Sequence, residues 1–195
     1  MRWFPAVLGL VAGYAMIRLG FAYGTGAEEQ WQLATRWTSR VAFPFLMVAY
    51  SASSLVRLWP NPVTKALLRD RRWWGLGFAG AHSAHLCGII NYFDVLGEPI
   101  PAFALVGGGA AYLLMYAMVL TSFPAAQRAM GRNWRRLHSV GIHYLWLVFT
   151  FAYVGKALSG YEPLFSIPYA VTALAAFGLR ITLWRRTRRG LAAIR

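Results

Sequence analysis

Acidic residues are scarce in this 195-residue chain: six Asp and Glu stand against twenty Lys and Arg, a formal net charge of +14. Charged residues of both signs make up only 13% of the sequence, against ~25% in an ordinary soluble domain. Cysteine is nearly missing too. The lone Cys87 excludes an intrachain disulfide, and its place inside an apolar run reads as packing. No A-x-A-like cleavage site interrupts the apolar N-terminus through Tyr23, which reads as a retained first helix. The apolar runs contain no carboxylate, and neither a Ser/His/Asp arrangement nor a Gly-rich phosphate loop is present. Hydrolytic and nucleotide chemistry therefore have no residues to stand on. Repeats and low-complexity linkers are also lacking, so residues 1–195 read as one domain.

What the chain has in abundance is apolar surface, with 58% of residues in the hydrophobic class. Apolar runs fall at Pro5 to Tyr23, Val41 to Leu58, Trp73 to Phe93, Pro101 to Phe123, Leu137 to Leu158 and Pro168 to Trp184. At about 20 residues per crossing, six such runs use about 120 residues and leave only short loops. The expectation is an all-α integral membrane six-helix bundle, with Arg180 snorkelling from the short last run.

The basic residues phase this reading. Arg57, Lys65, Arg69, Arg71 and Arg72 follow the second run, Arg128, Arg132, Arg135 and Arg136 the fourth, and Arg185, Arg186, Arg188, Arg189 and Arg195 the last. The alternate loops hold Glu28, Glu29, Arg36 and Arg40, then Asp94 and Glu98, then Lys156 and Glu162. By the positive-inside rule both termini are expected to be cytoplasmic. Each basic residue near an anionic membrane lipid surface gains about 1 kcal/mol, which accounts for the charge without a nucleic-acid partner. The stretch AEEQWQLATRW, with Trp31, Leu33, Ala34 and Trp37 at helical spacing, is expected to lie along the outer interface as a short amphipathic helix.

All four histidines fall in two runs: His82 and His85 in the third, His138 and His143 in the fifth. Ionisable residues inside a membrane span default to a functional site, and neutral imidazole is a common ligand of haem iron. The third and fifth runs cross in the same direction. His82 lies nine residues beyond Trp73 and His143 nine beyond Trp134, so both sit roughly 13 Å along their helices. His85 lies one turn deeper on the same face as His82. His138 points about 140° away from His143, which argues against both holding one haem. Gly77, Gly80, Ala81, Ala84, Gly88 and Gly141 provide the close backbone approach a porphyrin needs, although small-residue stripes also serve plain helix packing. Arg71, Arg72, Arg135 and Arg136 open the two histidine-bearing runs, as topology anchors or as partners of haem propionates.

The stretch R71-R-W-W-G-L-G-F-A-G-A-H-S-A-H85 resembles the ferric-reductase-like transmembrane domain, whose third helix opens with Arg-Arg, Gly-Leu and a later His. W134-R-R-L-H138-S-V-G-I-H-Y-L-W is similar to the same family's Trp-x-x-Leu-His at the start of the fifth helix, and A34-T-R-W-T-S-R-V-A-F-P-F-L-M-V-A-Y-S-A-S-S-L-V-R-L58 to its approach into the second. The resemblance spans residues 27 to 158. Within the family the chain resembles the small haem-binding membrane subunits of the methionine sulfoxide reductase system. The resemblance implies b-type haem, bis-histidine ligation and electron transfer across a bacterial inner membrane, with His85 and His138 matching family histidines. A further family histidine, 13 or 14 residues after His138, is replaced here by Phe151 and Ala152. One haem is accordingly preferred over two.

The expectation is thus a haem b electron-transfer subunit of a membrane oxidoreductase. Its candidate cofactor and metal residues are His82, His85, His138, His143, Arg72 and Arg136. Family position favours His85 with His138, equal depth favours His82 with His143, and the choice stays open. Its donor is expected to be a quinol or a separate flavoprotein reductase, and its acceptor a partner protein. Two other readings use the same residues: a quinone-reactive or proton-conducting membrane subunit without haem, and a non-redox assembly or transport protein dependent on Gly107, Gly108 and Gly109.

Overall fold

The computed structural model describes residues 2–192, with side chains through Arg186. Of the basic tail, the side chains of Arg188 and Arg189, and Arg195 altogether, lie outside the described residues. Eight helices and no strand occur among the described residues: α1 (Phe4–Tyr23), α2 (Ala27–Leu58), α3 (Pro62–Arg69), α4 (Arg71–Leu96), α5 (Ala102–Leu120), α6 (Pro124–Met130), α7 (Arg132–Leu158) and α8 (Pro163–Ala192). Five of them, α1, α2, α5, α7 and α8, are long and apolar enough to cross a membrane. The 26 residues of α4 would extend about 39 Å at 1.5 Å each. It falls short in composition only, because Arg71, Arg72, His82, Ser83, His85, Asn91 and Asp94 dilute its apolar residues.

Several boundaries differ from the sequence expectation, each for a local reason. The stretch expected to lie along the interface is instead the first third of α2, which runs unbroken for 32 residues. Nothing between Trp37 and Val41 stops a helix, and the stretch is buried at Ala34, where α1 approaches, and at Thr38, which meets His85 of α4. The helix α8 starts at Pro163, five residues before the expected Pro168, because Pro163 suits a first turn that needs no N–H. The loops after α2 and α5 fold into α3 and α6; α3 is closed by a capping box in which Asn61 accepts from the Thr64 N–H. Cys87, expected to be packed, is exposed on the outside of α4.

Glycine sets the spacing of the first three long helices. A Cβ on Gly9 would overlap the backbone of Gly77, and one on Gly77 would overlap that of Pro5. Further along, a Cβ on Gly20 would lie 2.7 Å from the Ala34 nitrogen, and one on Gly88 2.6 Å from Thr35 Oγ1. The register is therefore α1 parallel to α4, with α2 antiparallel to both. In lipid, where apolar association gains little from water exclusion, such backbone contact is the main source of cohesion. On the other side, α7 pairs antiparallel with α8, the Trp146 indole N–H donating to the Ala173 carbonyl at 2.9 Å. An aromatic core of Phe43, Tyr50, Phe78, Trp146, Phe149 and Tyr153 joins the two groups. Outward, Phe103, Val106, Leu113, Leu164 and Val171 are exposed, as lipid-facing residues should be.

The two ends of the bundle differ in charge. Arg57, Lys65, Arg69, Arg71, Arg72, Arg128, Arg132, Arg135, Arg136, Arg185 and Arg186 gather at one end. At the other, Glu162 accepts from Arg36 at 3.0 Å and from Arg40, tying the α7–α8 turn to α2. Glu162 takes a left-handed backbone at φ 47°, so these bonds hold a conformation unusual for a non-glycine residue. Burial pushes its carboxyl up, but the Arg40 hydrogen bond and the Arg40, Arg36 and Lys156 charges outweigh this and hold it below the ordinary glutamate range. A depressed carboxylate contributes stability above its unfolded-state value and loses it as pH falls through the folded-state value.

Two outcomes follow. Glu162→Gln should lower the thermal midpoint in detergent at pH 7 by about 2–4 °C, a cost of about 1 kcal/mol, and the gap to wild type should close as the pH falls below the glutamate range. Gly77→Val should destabilise by about 1–3 kcal/mol through overpacking. Gly107→Ala, whose Cβ would meet nothing within 4 Å, should be neutral or stabilising in the same melts.

Candidate haem-binding cavity

At the basic end, the halves of the bundle part around a cavity of about 450 Å³. The inner ends of α4, α5 and α7 line it, with single turns of α2, α6 and α8. Its side walls are apolar, from Leu46, Met115, Met118, Val119, Ile142 and Leu145. Its polar groups are Arg71, Arg72, Arg135, Arg180, His138 and His143, with Ser122, Gln127 and Ser139, and no carboxylate among the described residues lines it. Arg71 is anchored by its Nε–H, which donates to the Ala49 carbonyl at 2.6 Å. Arg72 lies 5.0 Å from the Trp73 ring centre and 5.5 Å from that of Phe123. Its buried Nε has no hydrogen-bond partner. Arg71, Arg72 and Arg180, half-buried and without a counter-charge among the described residues, with the exposed Arg135 at the edge, favour an anionic occupant.

Local chemistry fixes which nitrogen of each imidazole carries the hydrogen. The Thr121 hydroxyl donates to the Ala117 carbonyl at 2.7 Å, so the His138 Nε2, 3.0 Å from Thr121 Oγ1, is the donor there and its lone pair is on Nδ1. The ring is also stacked on Trp134 at 4.2 Å, whose indole donates to the Thr121 carbonyl. The His143 Nδ1–H donates to the Ser139 carbonyl at 2.6 Å, which places its lone pair on Nε2. Arg180 Nη1 lies 3.3 Å from that Nε2. Both histidines thus have the hydrogen-bonded second nitrogen typical of a metal ligand.

The other two histidines form a separate group. The rings of His82 and His85 stack at 5.0 Å, and His82 also stacks on Phe78 at 5.0 Å and Tyr112 at 4.7 Å. The His85 Nδ1–H donates to the Thr35 carbonyl of α2 at 2.8 Å, leaving Nε2 as its lone-pair nitrogen. His82 is 6% exposed, and its buried Nδ1 has no partner. Neither ring lines the cavity. Phe78 does, and it stands between the cavity and His82.

The structure therefore groups the four histidines by helix, and the expected cross-helix pairs do not meet in one recess. His138 and His143 both line the cavity despite the roughly 140° between them. Arg72 lines the cavity and Arg136 does not, being exposed beyond it. Phe151, at the position of the missing family histidine, is 73% exposed and faces away from the bundle. Arg180 was expected to snorkel, and instead turns inward against His143 and the ring of Tyr50. A charge inside the last apolar run was its visible signal. Trp134 was visible as the first residue of the Trp-x-x-Leu-His stretch, whereas Thr121 and Thr35 carried no signal, since each matters only through contact with another helix.

No protein-family model matches the chain. No solved structure matches it either. Among curated proteins it is similar to the protein-methionine-sulfoxide reductase heme-binding subunit MsrQ of Cronobacter sakazakii, 29% identical with 96% of each chain covered. The protein of the same name from an Enterobacter species is 31% identical, and that from Salmonella paratyphi B 33%, each with 95% of both chains covered. Membrane-crossing helices, rather than a closed barrel, belong to the bacterial inner membrane. This chain, a multi-pass protein of that membrane, belongs to the MsrQ family of haem-binding subunits of protein-methionine-sulfoxide reductase.

Proposed function

We propose that this chain is a haem b-binding electron-transfer subunit, and that the cavity at its basic end is where the haem sits. The single observation that carries this reading is the composition of the cavity: apolar walls, arginines without a counter-charge, and imidazoles with fixed lone pairs. Arg71, Arg72 and Arg135 would hold the two propionates by charge-assisted hydrogen bonds. The partnerless Arg72 Nε fits that role. His143, whose Nε2 lone pair adjoins the cavity, is the leading iron ligand. His138 presents Nδ1 and is the second α7 candidate. Met115 and Met118 line the same walls, and thioether sulfur also ligates haem iron. His82 and His85 on α4 are the candidates for ligation from the other side of Phe78, or for a second haem.

Bound haem takes up and returns one electron at a time, at a potential set by its ligands and surroundings. The chain's part is to fix those ligands, neutralise the propionates and exclude water with its apolar walls. In this reading α4 is the sixth crossing and the basic end is cytoplasmic, with both termini there. Electrons would enter from a quinol or a separate flavoprotein reductase. They would leave at the opposite end to a catalytic subunit that reduces protein methionine sulfoxide, as the relatives' name indicates.

The reading is tested on purified protein from haem-replete cells. A reduced b-type spectrum is expected, with about one haem per chain. His143→Ala should remove or displace it, and Arg72→Gln should weaken haem binding about tenfold, the value of one hydrogen bond to a charged group. His82→Ala and His85→Ala should retain the haem if the cavity holds the only one. A colourless preparation, or full haem occupancy with an unchanged spectrum in His143→Ala, would refute the assignment.

A further inference from the structure

We propose that Arg180 is a positioning residue that keeps the ligating nitrogen of His143 closed until an anionic group on the cavity's occupant draws it away. The inference rests on the reading of the cavity as a haem site with His143 as a ligand. A backbone carbonyl can only accept, so the 2.6 Å contact with Ser139 requires the hydrogen on His143 Nδ1. A guanidinium can only donate, so the 3.3 Å contact with Arg180 engages the lone pair on Nε2. Both bonds are satisfied together by one state, the neutral imidazole. A doubly protonated ring would instead bring two cations together in a cavity without a carboxylate.

The guanidinium is held from behind as well. Its carbon stands 4.4 Å from the centre of the Tyr50 ring, and Tyr50 is 0% exposed, so this platform is fixed by the core. Arg180 thus touches both the nitrogen that would bind iron and a fixed aromatic ring that itself packs edge-on against His143 at 5.5 Å. One lone pair cannot serve a guanidinium N–H and a metal at the same time. Coordination therefore requires Arg180 to leave, and no proton is displaced, because Nε2 carries none.

What could move it is limited by the composition of the site. The cavity has no carboxylate of its own to receive a guanidinium. An occupant bearing carboxylates supplies one, and Arg71, Arg72 and Arg135 converge on the same space. Carboxylate capture and metal ligation are then coupled: a porphyrin with free propionates releases His143, whereas a neutral porphyrin of the same shape leaves it closed. The sequence gives α8 a charged side chain amid Phe177, Leu179, Ile181 and Leu183, a costly position that lipid contact alone would not call for.

The test compares iron protoporphyrin IX with its dimethyl ester, both added to the full-length apoprotein in detergent. A signal counts as His143-dependent when His143→Ala abolishes it. Wild type should give a His143-dependent spectrum with the free acid and none with the ester. In Arg180→Gln the ester should acquire that spectrum and bind more tightly, by about tenfold or more, while Arg180→Lys should restore discrimination. The sign is decisive, because a structural or propionate-binding role for Arg180 predicts equal or weaker ester binding in Arg180→Gln, and either result would overturn the proposal. If Arg180→Gln does not fold, Arg180→Met is read in the same way, and the same His143-dependent spectrum from both porphyrins in wild type refutes the proposal outright. Absence of any His143-dependent spectrum with the free acid would instead remove the haem reading beneath it.

Discussion

Uncompensated positive charge inside a helical membrane bundle is the constraint that organises this protein. Arg71, Arg72 and Arg180, half-buried, line a cavity in which no described residue is a carboxylate, although leaving cations unpaired away from bulk water is costly. The walls meet part of that cost, through the Ala49 carbonyl, the faces of Trp73, Phe123 and Tyr50, and the lone pair of His143. None of these is an anion. On the reading proposed above, the site is arranged around a charge that its ligand has to bring, and haem would bring it in its propionates.

At the opposite end the same problem has an internal solution. Arg36 and Arg40 share Glu162, which adopts a left-handed backbone to reach them. A carboxylate placed between two arginines makes a closed structural clasp, whereas arginines without one make an open site. On the proposed reading, the contrast between the two ends separates a structural cluster from a binding one.

Much of this was legible in the sequence, and the reasons are physical. Apolar runs long enough to span a bilayer, and their basic flanks, are dictated by lipid, so they can be counted residue by residue. The confinement of four histidines to two runs marked both helices of interest, and the small residues of α4 marked the close packing that Gly9 and Gly77 make. What could not be read was which way each imidazole turns. That depends on Thr121 and Thr35, whose oxygens become partners of His138 and His85 only after the helices have packed, and, for His143, on which rotamer brings its ring to the Ser139 carbonyl one turn earlier in α7. Equal depth suggests His82 opposite His143, yet the His82 ring lies 5.1 Å from Phe149, six residues further along α7, while His143 packs on Tyr50 nearer the basic end. Counting along each helix contains no information about tilt or about Phe78, which stacks on His82 from the cavity side. The continuity of α2 was missed because amphipathic spacing is the same whether a helix lies on a surface or packs against α1.

The cavity also lies at the seam between two unequal halves. On one side α1, α2 and α4 touch backbone to backbone through glycine. On the other, α5, α7 and α8 meet through larger side chains, and α4 and α5 part toward the basic end, where the recess opens. A rigid disc lodged there would act as a keystone, bracing the looser half against the tighter one. Assembly of the holoprotein is then the last stage of folding as much as the loading of a cofactor, and newly inserted chains would depend on haem supply for their lifetime in the membrane as well as for their electrons.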